Sequence, residues 1–112
     1  MRVLVVDDQE MQVDLVGCQL SHAGYEVTGC HCGEEAVNTL KAQAVDLIIT
    51  DMELGAMSGQ DVLEHVRKEF GSLPVILMSG NPMNLEKNGF DGYLGKPFSM
   101  QQLLHVVEKF GR

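Results

Sequence analysis

Residues 47–59 read LIITDMELGAMSG. Leu47, Ile48, Ile49 and Thr50 form a short, largely β-branched run, the composition of a strand buried on both faces. The run stops at a carboxylate, Asp51, and a second acid, Glu53, follows two residues later. An acid beside such residues is costly unless its charge is offset. Ser58 with Asp61 three positions on signals a helix start. A buried strand running through a short loop into a helix is the repeating unit of a parallel sheet.

The same unit recurs on both sides of this stretch. Residues 3–6 are a second β-branched run. Met11, Leu15, Cys18 and His22 then recur at helical spacing, with Val13, Val16 and Leu20 as another stripe, which predicts a well-buried helix ended by Ala23-Gly24. Residues 25–30 read as a more polar strand, expected at a sheet edge. Residues 33–42 predict a helix with Ala36, Val37 and Leu40 inward. After residues 47–50, Val62, Leu63, Val66 and Phe70 mark a third helix, closed by Gly71. Residues 75–78 and 92–95 are further strands. Ser99 and Gln102 make a capping box for the last helix, Phe98 and Leu103 a hydrophobic staple, and Met100, Leu103, Leu104, Val107 and Phe110 its apolar face. Strands alternating with helices imply an α/β fold, a doubly wound five-stranded parallel sheet with helices on both faces. No repeat, low-complexity segment or linker interrupts the pattern, so one domain is expected over residues 1–112.

Composition narrows the function. The 112 residues suit one core. A hydrophobic fraction of 45% and a charged fraction of 21% are those of a soluble globular protein. No apolar run approaches the roughly 20 residues of a membrane span, and MRVLVVDD lacks a signal-peptide pattern, so a cytoplasmic protein is expected. The net charge of −8 argues against direct nucleic-acid binding, which needs clustered Lys and Arg. Three cysteines without a secretion signal argue against a disulfide framework.

Ligands of such folds bind outside the carboxyl ends of the strands, where the strand order reverses. Asp7-Asp8 follow the first strand, Asp51 the third, Ser79 the fourth and Lys96-Pro97 the fifth. One acid after a strand is ordinarily a turn or cap residue. Three acids, a hydroxyl and a lysine at the same end of successive strands form a joint pattern. If the first and third strands are neighbours, the carboxylates converge and need a cation between them. Oxygen ligands of this kind suit Mg²⁺.

VLVVDD at 3–8, GYEV at 24–27, GEEAV at 33–37, DLIITD at 46–51, the M-x-G of 57–59, MSG at 78–80 and YLGKPF at 93–98 together resemble the receiver domain of the two-component response-regulator family, over essentially the whole chain. The resemblance implies a flavodoxin-like (CheY-like) sheet of strand order 2-1-3-4-5. It implies that Asp51 is the phosphoacceptor, taking a phosphoryl group from a phosphohistidine of a histidine kinase or phosphotransfer protein. Asp7, Asp8 and Asp51, with the main-chain carbonyl of Glu53, would hold Mg²⁺, for which Mn²⁺ is a plausible substitute. Lys96 and Ser79 would bind phosphoryl oxygens, and Gly80 would keep the approach open. The Lys96-Pro97 bond would be cis. Tyr93 matches an aromatic switch position that would follow Ser79 inward. Such a chain is a signalling switch, catalysing only its own phosphorylation and dephosphorylation. It would act on an unknown downstream effector as a monomer or weak dimer.

Three features depart from the family pattern. Gly55 stands where a proline is usual, which predicts a looser loop after the acceptor. The stretch between Ser79 and Lys96 is short, with Asn81-Pro82 and Asn88-Gly89 as breakers, so a shortened fourth helix is expected there. Glu53 occupies a variable position, and with Asn81 it is expected to tune phosphate lifetime. Cys30-His31-Cys32 resembles half a metal site but lacks further ligands; Cys18 and His22 are expected to face the core or the bottom of the sheet. His65 and His105 lie on helices away from the strand ends. Two other readings compete: a Mg²⁺-dependent phosphohydrolase with an aspartate nucleophile, and a degenerate receiver acting only as an interaction module. A mononucleotide binder is disfavoured, because no phosphate-cradling loop follows the first strand.

Overall fold

The structure, a computed structural model, describes residues 1–80 and 89–110. Five strands, β1 (Arg2–Val6), β2 (Glu26–Cys30), β3 (Leu47–Asp51), β4 (Val75–Ser79) and β5 (Gly92–Gly95), form one parallel sheet in the order β2-β1-β3-β4-β5. Among the described residues, the helices are α1 (Glu10–His22), α2 (Gly33–Ala42), α3 (Gly59–Glu69) and α4 (Met100–Glu108). The expected doubly wound sheet and strand order are therefore observed. The expected short helix between Ser79 and Lys96, and Asn81 with it, lie outside the described residues.

Strand alternation divides the core into two layers. Val3, Val5, Leu47, Ile49, Ile76, Met78 and Leu94 pack against Val16 and Leu20 of α1 and Leu103 and Val107 of α4. Leu4, Val6, Ile48 and Val75 face Ala36 and Leu40 of α2 and Val62, Leu63 and Val66 of α3. The central strands are buried on both faces, which is why they read as continuous apolar runs. Edge strand β2 is mixed in exposure, as its polarity predicted.

Helix ends follow local chemistry. Ser58 and Asp61 form the predicted capping box of α3, and Ser99 and Gln102 that of α4. Phe98 packs on the same cluster that holds Leu103. At the end of α1, Gly24 takes φ +99, and the Tyr25 amide reaches back to the Leu20 carbonyl at 3.1 Å, closing a Schellman turn.

Two apolar faces are corrected. Met11 is 84% and Leu15 54% exposed, and Cys18 and His22 also face solvent. At about 100° per residue their stripe lies opposite the Val13, Val16 and Leu20 stripe, and a helix laid on a sheet buries only one such side. Met100 is 37% exposed although it shares the helix face of Leu103 and Val107, because as the first residue of α4 it lies at the end of that face. Gly55 holds φ +85, a left-handed conformation that proline cannot adopt, and the preceding Leu54 is buried in the core. The proline usual in the family is therefore incompatible with this turn.

A polar clamp closes the amino end of the sheet. The Arg67 guanidinium donates to the carbonyls of Gly71, Leu73 and Gly89 and to the Asp91 carboxylate. The same Asp91 oxygen accepts the Val75 amide at 2.8 Å. Replacing Asp91 by Ala removes the carboxylate partner of the guanidinium and the acceptor of the Val75 amide together. Asp91→Ala is expected to lower stability by about 1–3 kcal/mol, measured by urea unfolding; a loss below about 0.5 kcal/mol would show the clamp to be energetically idle.

Candidate functional site

The sheet order reverses between β1 and β3, so the crevice at their carboxyl ends is the natural ligand site. Val6 pairs with Thr50, which puts the next residues, Asp7 and Asp51, side by side. Asp51 itself pairs with Met78, and Ser79 with Gly95, so Ser79 and Lys96 arrive at the same level. Register alone thus gathers the four positions.

Asp7 is fully buried. One of its oxygens accepts the Gln9 amide at 3.0 Å, and the other accepts Lys96 Nζ at 2.9 Å. Lys96 Nζ also lies 3.4 Å from Asp51 Oδ1. Asp7, Asp8 and Asp51 each offer an oxygen within 4.8 Å of the others. This is the one such group among the described residues, and its all-carboxylate donor set fits a hard, oxygen-seeking dication such as Mg²⁺. Lys96 supplies a single positive charge against three acids, which leaves room for two more.

Burial pushes the Asp51 carboxyl above its ordinary range; Lys96 opposes the shift, the charge of Asp7 adds to it, and a hydrogen bond from the Met52 backbone opposes it. Burial works to lower the Lys96 value, but the hydrogen bond to Asp7 and the charges of Asp51 and Asp7 outweigh it and hold the ammonium charged.

The Lys96 amide donates to the Ser79 carbonyl at 2.8 Å, and the Tyr93 hydroxyl reaches the same carbonyl at 3.1 Å. Ser79 is buried and Tyr93 half-buried. The Lys96-Pro97 bond is cis, as expected. A Cβ at Gly80 would meet Lys96 at 3.8 Å, an ordinary contact, so the fold itself does not require glycine there.

Three residues escaped the sequence reading as site elements. Gln9 and Met52 line the same cavity of about 280 Å³ as Asp51, Glu53, Ser79, Gly80 and Lys96. Gln9 follows the acid pair directly, which was the available signal. Gly59 had appeared only as a motif letter. A Cβ there would sit 2.3 Å from the Asp51 carbonyl, so only glycine lets α3 start against the strand end, with its amide 2.7 Å from the Met52 carbonyl. A larger recess of about 450 Å³ between the ends of α2 and α3 is lined largely by aliphatic side chains and contains no acid.

The other tempting residues stay apart. The Cys30 thiol is buried, with its ionisation disfavoured chiefly by that burial. His31 pairs with Glu35, Cys32 is half-buried, and neither joins a metal cluster among the described residues. His65 packs on Phe70, and His105 is exposed.

A family model described as the response regulator receiver domain matches residues 3–108. The chain belongs to this family. It is 35% identical to the sensor protein GacS of Pseudomonas syringae pv. syringae, over 97% of this chain and 13% of that protein. It is 33% identical to the probable transcriptional regulatory protein TcrX of Mycobacterium tuberculosis, over 91% of this chain and 46% of that one. The receiver therefore spans less than half the length of these curated relatives. Among solved structures, it resembles the response regulator TrrA of Thermotoga maritima in complex with Mg²⁺ and BeF, at TM-score 0.92, 30% identity and 97% coverage of both chains. It also resembles the Vibrio cholerae chemotaxis response regulator CheY4, at TM-score 0.91, 28% identity and 97% coverage of both.

The raised Asp51 carboxyl gives a stability prediction for the metal-free receiver. A folded value above the unfolded one means that folding is favoured with the group protonated, and that this advantage is lost as pH rises through the folded value. Asp51→Asn should therefore be indistinguishable from wild type below the ordinary aspartate range and more stable above it. Thermal melts in chelator across pH 3–7 read the difference, and a variant less stable than wild type at neutral pH contradicts it.

Proposed function

We propose that this receiver is a phosphoacceptor switch of a two-component phosphorelay, with Asp51 as the acceptor. The observation that carries the reading is the convergence of Asp7, Asp8 and Asp51 at the strand-order reversal, with Lys96 paired to Asp7 and Asp51. An Asp51 oxygen forms the new O–P bond, the P–N bond of a phosphohistidine breaks, and its electron pair returns to the imidazole nitrogen. Phosphoryl transfer of this kind depends on in-line placement and charge neutralisation.

Asp7, Asp8, Asp51 and the Glu53 main-chain carbonyl would hold Mg²⁺, or Mn²⁺ in its place, which supplies charge neutralisation for the phosphoryl oxygens. Lys96, already charged and held by Asp7, needs little movement to engage one of those oxygens. The Ser79 hydroxyl serves another. Because the Ser79 carbonyl is the acceptor for Tyr93 and for the Lys96 amide, a pull on Ser79 is felt by both, and the change in Tyr93 alters the surface offered to an effector. A histidine kinase or phosphotransfer protein would supply the phosphoryl group. The net charge of −8 favours basic protein partners over nucleic acid. Glu53 and Asn81 are assigned to control of phosphate lifetime.

With Mg²⁺ and a small phosphodonor, or with beryllium fluoride, the protein is expected to gain a single adduct at Asp51, seen by intact mass or by a shift in the spectrum of nearby groups. Asp51→Asn should gain none. Sustained turnover of unrelated phosphomonoesters would favour a phosphohydrolase instead, and Mg²⁺ binding without any adduct would favour a degenerate interaction module. Glu53→Ala is expected to change the decay rate of the adduct; superimposable decay curves would remove Glu53 from that role.

A further inference from the structure

Among the described residues, the buried polar and charged side chains are Asp7, Thr50 and Ser79. The chemistry of the strand-end site accounts for Asp7 and Ser79, and leaves Thr50 unexplained. Its position is a costly one for a hydroxyl. Thr50 lies in register between Val6 of β1 and Leu77 of β4, and both are buried. It follows Leu47, Ile48 and Ile49 in a strand where valine would fit as well and bring no polar atom. The hydroxyl donates to the Asp51 carbonyl at 2.9 Å.

Side chains alternate in direction along β3, so Thr50 shares the face of Ile48, which packs toward α2 and α3, and Asp51 takes the other face. The hydroxyl therefore acts on Asp51 through the backbone. The carbonyl it holds belongs to the peptide unit that joins Asp51 to Met52. That unit is planar, so fixing its carbonyl also fixes its N–H. The Met52 backbone in turn gives a hydrogen bond to the Asp51 carboxylate. On the other side of Met52, its carbonyl accepts the Gly59 amide at 2.7 Å.

We propose that Thr50 is a positioning residue for phosphoryl capture, a reading that rests on Asp51 being the phosphoacceptor. Its hydroxyl locks the peptide after Asp51, and that peptide aims the carboxylate. An in-line displacement is sensitive to the direction of the attacking oxygen, which the side-chain torsions of an aspartate leave free unless something holds them. No atom of Thr50 enters the reaction. The Asp51 oxygen forms the O–P bond, the P–N bond of the donor breaks, and its electron pair stays on nitrogen.

Two variants separate the hydroxyl from the packing. Thr50→Val keeps the branched shape and removes the hydroxyl; Thr50→Ser keeps the hydroxyl and removes a methyl group. With saturating Mg²⁺ and phosphoramidate, the rate constant for the Asp51 adduct is expected to fall by roughly three- to tenfold in Thr50→Val, the scale of one net hydrogen bond. Thr50→Ser is expected to react at nearly the wild-type rate. A role in packing alone predicts the reverse order, because serine opens a space in the core and valine does not. A second readout needs neither metal nor donor. In the metal-free protein, the Met52 amide proton is expected to shift and to exchange faster in Thr50→Val, and to return toward wild type in Thr50→Ser. An undiminished rate in Thr50→Val, a Thr50→Ser variant as slow as Thr50→Val, or a Met52 amide identical in wild type and Thr50→Val overturns the proposal. If phosphoramidate leaves wild type unmodified while Mg²⁺ still binds, the phosphoacceptor reading itself fails and takes this inference with it.

Discussion

One lysine makes the cluster of acids at the strand ends tolerable. Asp7 is fully buried, and Lys96 Nζ, 2.9 Å away, is its ion-pair partner. The same ammonium reaches Asp51 at 3.4 Å. Remove that charge and the buried carboxylate would be left without its ion-pair partner, a costly state. Lys96 follows β5, two strands from β3 and three from β1, so the pair is built only when the whole sheet order is in place. Electrostatic compensation in the site is therefore conditional on the fold.

Compensation is also incomplete. Three carboxylates face one ammonium, and burial keeps the Asp51 carboxyl reluctant to ionise. A site of this kind is poised to gain from a dication and from whatever that ion carries with it. The backbone supports the same poise. Gly59 brings the start of α3 against the Asp51 carbonyl, and the Ser79 carbonyl collects both the Tyr93 hydroxyl and the Lys96 amide. At the far end of the sheet, Arg67 and Asp91 fix the approach to β5. The switch residues thus hang from a framework tied at both ends.

Much of the fold was legible because its strongest signals are local. Apolar runs marked the central strands, Ser58-Asp61 and Ser99-Gln102 marked two helix starts, and Gly24 and Gly71 marked two ends. Legibility failed where a local pattern has two readings. The stripe of Met11, Leu15, Cys18 and His22 has the same period as that of Val13, Val16 and Leu20, and periodicity does not say which side meets the sheet. Gly55 marked a departure from the family's proline, but not the left-handed φ of +85 that the chain adopts there. Arg67 carries no local signal of its clamp, because two of its four acceptors, Gly89 and Asp91, lie 22 and 24 residues further along the chain.

The sequence by itself determined the order of elements, the parallel sheet and the acids, hydroxyl and lysine at the strand ends, because each depends on residues close together in the chain. It also carried the family, through an ordered set of short motifs. Only the tertiary structure decided which of these groups touch. The pairing of Asp7 with Lys96, the approach of Gly59 to Asp51 and the place of Gln9 and Glu53 in the cavity lining arise from strand register and packing across the chain. Distances of that kind have no local signature, because parallel neighbours in a sheet are joined only through long crossovers.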